Sequence, residues 1–244
     1  MIPRTLLYFR SFLFFFILCI VTPCWAIICF LSLPFPYQTR YYITARWNVF
    51  VIWLAKRLCG IHYQIKGESN LPHAPAILLC KHQSAWETIF LFYQMPRPLA
   101  FVLKRELLWV PFFGWALRLL RMIPIDRKNT KSAFKKISTC GQDRLDHGQW
   151  IIMFPEGTRI APGKKGKYKS GGARLALQTQ TPIIPIAINA GRCWPKNSLL
   201  KYPGMVTVSI GPAISPQNTT SEQLIQQVET WIENEMRVIS PNDY

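Results

Sequence analysis

The chain predicts an α/β protein: a mixed, mainly parallel sheet flanked by helices, led by an apolar and amphipathic helical segment that anchors it to a membrane. Three observations lead there. The continuous apolar runs Ala76–Cys80, Ile151–Phe154 and Ile183–Ile188 have the length of buried strands and alternate with stretches of helical periodicity. The stretch Ser11 to Leu33 holds 23 residues without a formal charge, and a spanning helix needs roughly 20. Half of the 244 residues are hydrophobic, enough for one sizeable core. The expected division is residues 1–60 as membrane-anchoring N-terminal helices and 61–244 as one globular domain.

Charge narrows the partner. There are 29 Lys+Arg against 12 Asp+Glu; residues 1–220 carry 28 of the basic and seven of the acidic residues. A basic body attracts an anionic partner: nucleic acid, a phosphorylated substrate or an anionic membrane surface. No recognisable nucleic-acid motif accompanies the charge, and the apolar N-terminus points to membrane phosphate. Seven cysteines at positions 19, 24, 29, 59, 80, 140 and 193 form no C-x-x-C pair and no metal spacing. They fit reduced thiols on the cytosolic side, and no metal site is expected.

Taken in order, the uncharged run has Pro23 near its middle, Pro34 and Pro36 after it, and arginines on both flanks (Arg4, Arg10, Arg40, Arg46). The positive-inside rule therefore assigns no orientation, and the segment either spans or re-enters. A secretory signal ending near Ala26 ranks below both, because apolar character continues to Leu33. Tyr41 to Cys59 places Trp47, Phe50, Val51, Leu54 and Leu58 at helical spacing, as an interfacial helix or one packed on the domain. Ile61, Tyr63 and Ile65 alternate as in a strand that Gly67 ends. Met122–Ile125 is a short strand, and Asn129 or Thr130 caps a helix to about His147. Gly172–Gln178 reads as a helix. Met205–Ile210 alternates apolar and polar and is expected half exposed or at an edge. Thr220 or Ser221 opens a last helix carrying Leu224, Ile225, Val228, Trp231 and Ile232.

Four stretches carry chemistry. In Lys81-His82-Gln83-Ser84-Ala85-Trp86-Glu87 a histidine precedes a carboxylate by five residues. Histidine accepts a proton near neutral pH, and a carboxylate on its other nitrogen fixes the tautomer. On one regular helix five steps separate the two by about 140°, so His82 is expected on the strand-to-helix turn with Glu87 one turn in. Phe154-Pro155-Glu156-Gly157-Thr158-Arg159 follows a strand; it is either a tight turn with a surface ion pair or a phosphate site with free N–H groups and an arginine fork. The aromatic block Trp109-Val110-Pro111-Phe112-Phe113-Gly114-Trp115, between Lys104-Arg105 and Ile123-Pro124-Ile125-Asp126-Arg127, lines an acyl channel, presses into the bilayer or serves as core. Lys164, Lys165, Lys167 and Lys169 crowd a loop that draws anionic headgroups or is simply solvated. That loop is no nucleotide P-loop: Tyr168 stands where a glycine is required.

In this order the stretches resemble the glycerophospholipid acyltransferases, and among them the 1-acylglycerol-3-phosphate (lysophosphatidate) acyltransferases. His82 and Glu87 match the family's His-x4-Asp with glutamate for aspartate. Gly114 through Ile123-Pro124-Ile125-Asp126-Arg127 matches the second motif, 154–159 the third in full, and Ile183-Ile184-Pro185-Ile186-Ala187 the fourth. The resemblance covers roughly residues 62–212 and implies that 61–244 is an acyltransferase domain. It implies direct transfer to the sn-2 hydroxyl of lysophosphatidate, giving phosphatidate, with His82 as general base and Glu87 orienting it. Glu156, Gly157, Thr158 and Arg159 would bind the substrate phosphate, helped by Lys104 and Arg127; Phe112, Phe113, Gly114, Trp115 and Pro185 would line the acyl chain. It implies acyl-CoA or acyl-ACP as co-substrate, no prosthetic group, and a place at the inner membrane with the catalytic domain facing the cytosol. Glycerol 3-phosphate, a lyso-ornithine lipid or another lysolipid is the alternative acceptor; an inactive protein binding anionic lipid is the alternative class. Cys80 is expected to be a strand residue and not a nucleophile.

Overall fold

A computed structural model describes residues 3–244. Seven strands form one sheet in the order β1-β7-β6-β2-β5-β3-β4. They are β1 Ile61–Lys66, β2 Ile77–Cys80, β3 Leu99–Lys104, β4 Ile123–Ile125, β5 Trp150–Met153, β6 Ile183–Ile188 and β7 Gly204–Ile210. Every pairing is parallel except β6 with β7. Seven α-helices accompany them: α1 Arg4–Leu31, α2 Tyr37–Cys59, α3 Trp86–Gln94, α4 Phe113–Leu119, α5 Thr130–Asp146, α6 Gly171–Thr179 and α7 Ser221–Ile239.

Because side chains alternate along a strand, the sheet sorts its residues into two cores. Leu78 and Cys80 of β2 face a core shared with α2 and α3, and Ile77 and Leu79 face a core shared with α5, α6 and α7. Strands buried on both faces are expected of a parallel sheet and explain the unbroken apolar runs.

Most of the sequence-predicted elements fall into place. Asn129 caps α5 by accepting from the Ser132 N–H at 3.0 Å, and Thr220 with Gln223 forms a reciprocal capping box on α7. One expectation is corrected. β7 is neither at an edge nor half exposed: it lies between β1 and β6 with Val206 to Ile210 buried. Its polar residues find partners inside, since Thr207 Oγ1 accepts from Gln64 Nε2 at 2.9 Å and Ser209 Oγ donates to Glu235 at 2.7 Å. The edge strands are β1 and, at the far side, β4. Two elements were not foreseen, β3 and α4, both hidden in a stretch whose basic and aromatic residues drew attention instead.

The N-terminal helices form an antiparallel pair. Trp25 Nε1 donates to the Ile43 carbonyl and Trp47 Nε1 to Thr22 Oγ1. α1 has 28 residues with a mean hydropathy of 2.6 over its most apolar window, long and apolar enough to cross a membrane by length and composition. Much of its surface is apolar and open, with Phe9, Phe12, Phe15, Ile20 and Ile27 each more than half exposed. α2 instead packs on the domain: Val51, Ile52, Leu54 and Ala55 are buried. Tyr41 of α2 donates to the Phe92 carbonyl at 2.7 Å and accepts from the Leu99 N–H at 2.9 Å.

Candidate active site

The strands β2, β5, β3 and β4 are mutually parallel, so their C-terminal ends share one edge of the sheet, where open α/β sheets bind ligands. From those ends come His82, the 154–159 turn, Lys104 and Arg127.

His82 sits between β2 and α3, and its Nδ1 lies 2.9 Å from Glu87 Oε1. The turn makes this contact where a continuous helix would not. Glu87 lies in the first turn of α3, as its second residue, and not one turn in as expected; its Oε1 also accepts the N–H groups of Gln83 at 2.7 Å and Ser84 at 2.6 Å. One carboxylate oxygen thus caps the incoming turn and meets the ring. Glu87 Oε2 is buried without a partner among the described residues. The imidazole stacks on Phe154, ring centroids 3.9 Å apart. With a buried carboxylate on Nδ1, the proton belongs on Nδ1 and the lone pair on Nε2.

A cavity of about 340 Å³ opens beside His82. Its walls come from α1 and α2 (Trp25, Trp47), α3 (Ile89, Phe92), β3 (Phe101) and α4 (Leu117, Leu120), and Lys104 and Arg127 are also part of its lining. It is an apolar slot with one histidine and two cationic side chains in its lining.

The expected site residues divide. His82, Lys104, Arg127, Phe112 and Phe113 all line the cavity. Arg127 donates to the Gly157 carbonyl, which joins the second and third motifs. Burial draws the Arg127 guanidinium below its ordinary pKa while Glu106 opposes the shift; an arginine remains cationic throughout. Gly157 has φ +69°, and a Cβ there would meet Lys169 Nζ at 2.9 Å. Lys169, read from sequence only as one of a basic loop, therefore joins the cations around this turn. Thr158 is exposed and Arg159 half-buried beside it.

Four other placements differ from expectation. Glu156 is buried with its oxygens engaged: Oε1 accepts from Lys81 at 2.8 Å and from the Gly166 N–H at 3.2 Å, and Oε2 accepts the His82 N–H at 3.1 Å. A carboxylate so bonded holds the turn to the histidine. Pro185 lies inside β6, opposite Leu79, with its ring toward Gly211 and away from the cavity. Trp115 is half exposed on the outer side of α4. Gly114 does not face the cavity either: a Cβ there would stand 2.2 Å from the Leu108 carbonyl, so this residue lets α4 close onto the preceding turn. Cys80 is fully buried, its thiol pushed well above the ordinary range by burial and by the charges of Glu87 and Glu156, which suits a strand residue and not a nucleophile.

Residues 62–189 match the family model described as Acyltransferase. That span holds His82, Glu87, Lys104, Arg127 and the whole 154–159 turn, and the chain belongs to the acyltransferase family. A curated 1-acyl-sn-glycerol-3-phosphate acyltransferase of Pseudomonas aeruginosa is 44% identical over 95% of this chain and 92% of its own length. One from Cocos nucifera is 30% identical over 86% of this chain and 68% of its own. The crystal structure of the 1-acyl-sn-glycerophosphate (LPA) acyltransferase PlsC from Thermotoga maritima superposes with a TM-score of 0.77, covering 94% of both chains at 22% identity. The fold is thus shared with that protein, and the chain is an acyltransferase.

Proposed function

We propose that the enzyme moves a fatty acyl group from acyl-CoA or acyl-ACP to the sn-2 hydroxyl of 1-acylglycerol 3-phosphate, forming phosphatidate at the cytosolic face of the inner membrane. The observation that carries this reading is the 2.9 Å contact between His82 Nδ1 and buried Glu87, at the mouth of an apolar cavity edged by Lys104 and Arg127. The names of the relatives support the acceptor.

The chemistry follows from the groups present. The acceptor hydroxyl gives its proton to His82 Nε2 as its oxygen attacks the thioester carbonyl. A C–O bond forms, the C–S bond breaks, and the departing thiolate takes the proton back from the imidazolium. Glu87 stabilises that imidazolium across Nδ1. Lys104 and Arg127, with Gly157, Thr158 and Arg159 alongside, hold the phosphate, and the acyl chain fills the slot between α3, α4 and the N-terminal pair. The open apolar face of α1 keeps this entrance at the bilayer, where both the lysolipid and its product reside. No prosthetic group has a part in the scheme; the acyl thioester is the co-substrate.

The test is turnover by the purified protein with labelled acyl-CoA and acyl-ACP, offered lysophosphatidate and glycerol 3-phosphate in parallel. Phosphatidate from lysophosphatidate is the expected product. Preferential acylation of glycerol 3-phosphate would move the acceptor, and transfer to no acceptor would leave only lipid binding.

A further inference from the structure

Directly behind His82, on the opposite face of the sheet from the cavity, lies a charged cluster that the chemistry above does not use. Lys81 is completely buried, which is rare for lysine unless it is paired. Its ammonium has three donors and three acceptors: Glu156 Oε1 at 2.8 Å, Glu233 Oε1 at 2.7 Å and the Lys164 carbonyl at 3.3 Å. Glu233 Oε1 also accepts from the Tyr168 hydroxyl at 2.8 Å. Burial alone would pull the Lys81 ammonium down, but Glu156 and Glu233 more than offset it and hold it above its ordinary pKa. Its own burial, and then the same carboxylates, push the Tyr168 phenol far up, so it stays a neutral donor.

The cluster reaches the His82 backbone through Glu156. Glu156 Oε2 accepts the His82 backbone N–H at 3.1 Å, and the His82 carbonyl accepts the Ile160 N–H at 2.8 Å. Both ends of the His82 peptide are therefore clamped by the segment that follows β5, and the carboxylate end of the clamp is aimed by Lys81 and, through it, by Glu233 of α7. These partners come from 75 and 152 residues away in sequence.

We propose that Lys81, Glu156 and Glu233 form a positioning unit for the acyl-transfer step, which sets the aim of the His82 ring from outside the cavity and makes the C-terminal helix part of the active-site frame. The inference rests on the reading of His82 as the base. A charged unit of this kind suits the task because a buried ion pair is poor at adding net stability and severe when one partner is removed. Reacting groups also tolerate little displacement: a shift of about 1 Å costs on the order of 100-fold in rate.

Three variants of the full-length protein in detergent or vesicles test it, each assayed for kcat and both KM values and each melted in parallel. Lys81→Met strands two facing carboxylates, and kcat is expected to fall about 100-fold with the KM for lysophosphatidate within about twofold. Glu233→Gln keeps an oxygen for Lys81 and Tyr168 and removes only the charge, so it serves if Lys81→Met does not fold; its kcat is expected to fall about 5-fold to 10-fold, again at constant KM, on the same reasoning. In Lys81→Met/Glu233→Gln one of the two stranded charges is removed, and kcat is expected to recover part of the loss. A folded Lys81→Met or Glu233→Gln enzyme with wild-type kcat overturns the proposal, the cluster then being scaffold only. A raised lysophosphatidate KM at constant kcat also overturns it, because Lys81 would then be meeting the ligand. If wild type acylates lysophosphatidate and His82→Ala is as active, the reading of the base has failed and not the positioning argument alone.

Discussion

On one face of the sheet α1 turns Phe9, Phe12, Phe15 and Phe16 outward, each at least half exposed; on the other, α7 buries Leu224, Val228, Ile232 and Met236 and shows Gln226, Gln227 and Thr230 to water. The α7 face is built as a soluble protein builds a helix, with an apolar stripe inward and polar residues out. The α1 face reverses that arrangement, with large apolar side chains turned outward along the helix, and it is the face that contains the cavity. One layer is finished by its own packing; the other leaves its apolar side chains open. Under the proposed function, catalysis and anchoring share that second layer, while the first carries stability and, through Glu233, the clamp on His82.

The contrast can be broken by mutation. The largest effect belongs to the cavity side: His82→Ala is expected to lower kcat by about 10³-fold or more with the melting temperature held within a few degrees. Wild-type turnover in that variant would remove the base from the scheme. Next is the outer surface of α1, where Phe12→Asp/Phe16→Asp should abolish flotation with anionic vesicles, since an aspartate at the centre of a membrane helix costs roughly 2.5–3.5 kcal/mol. Unchanged flotation would mean that this surface does not meet lipid. Smallest is the closed side, where Leu224→Ala is expected to cost about 2–5 kcal/mol of stability, read by denaturant or thermal melting, and to leave kcat at 25 °C as it was. A large loss of turnover in the still-folded variant would erase the division between the two layers.

Much of this was legible in sequence, because the readable features are local. β2 and β6 announce themselves as unbroken apolar runs, and the helix caps lie within three residues of the groups they serve. His82 and Glu87 are also local: the strand-to-helix turn that their spacing demands is the one observed. What escaped is long-range. β7 alternates apolar and polar like an exposed strand, and only Gln64 and Glu235 make its interior position affordable. Leu99–Lys104 is an ordinary buried strand, yet its neighbouring Arg105 and the aromatics beyond overshadowed it. Lys81 looks like surface beside a motif, and Glu156 like a ligand within one; each is explained by partners that no spacing rule connects.

Tyr41 has a practical consequence. Its hydroxyl ties α2 to the Phe92 carbonyl and the Leu99 N–H, at the joint between α3 and β3. A shortened chain begun at Gly60 to gain solubility would leave those two main-chain groups without their partner. It would also take the Tyr41 ring off Phe92, and strip the cavity of the wall that holds Trp25 and Trp47. The N-terminal pair is thus a structural half of the enzyme, and water solubility has to be sought by changing the outward residues of α1 with the pair kept in place.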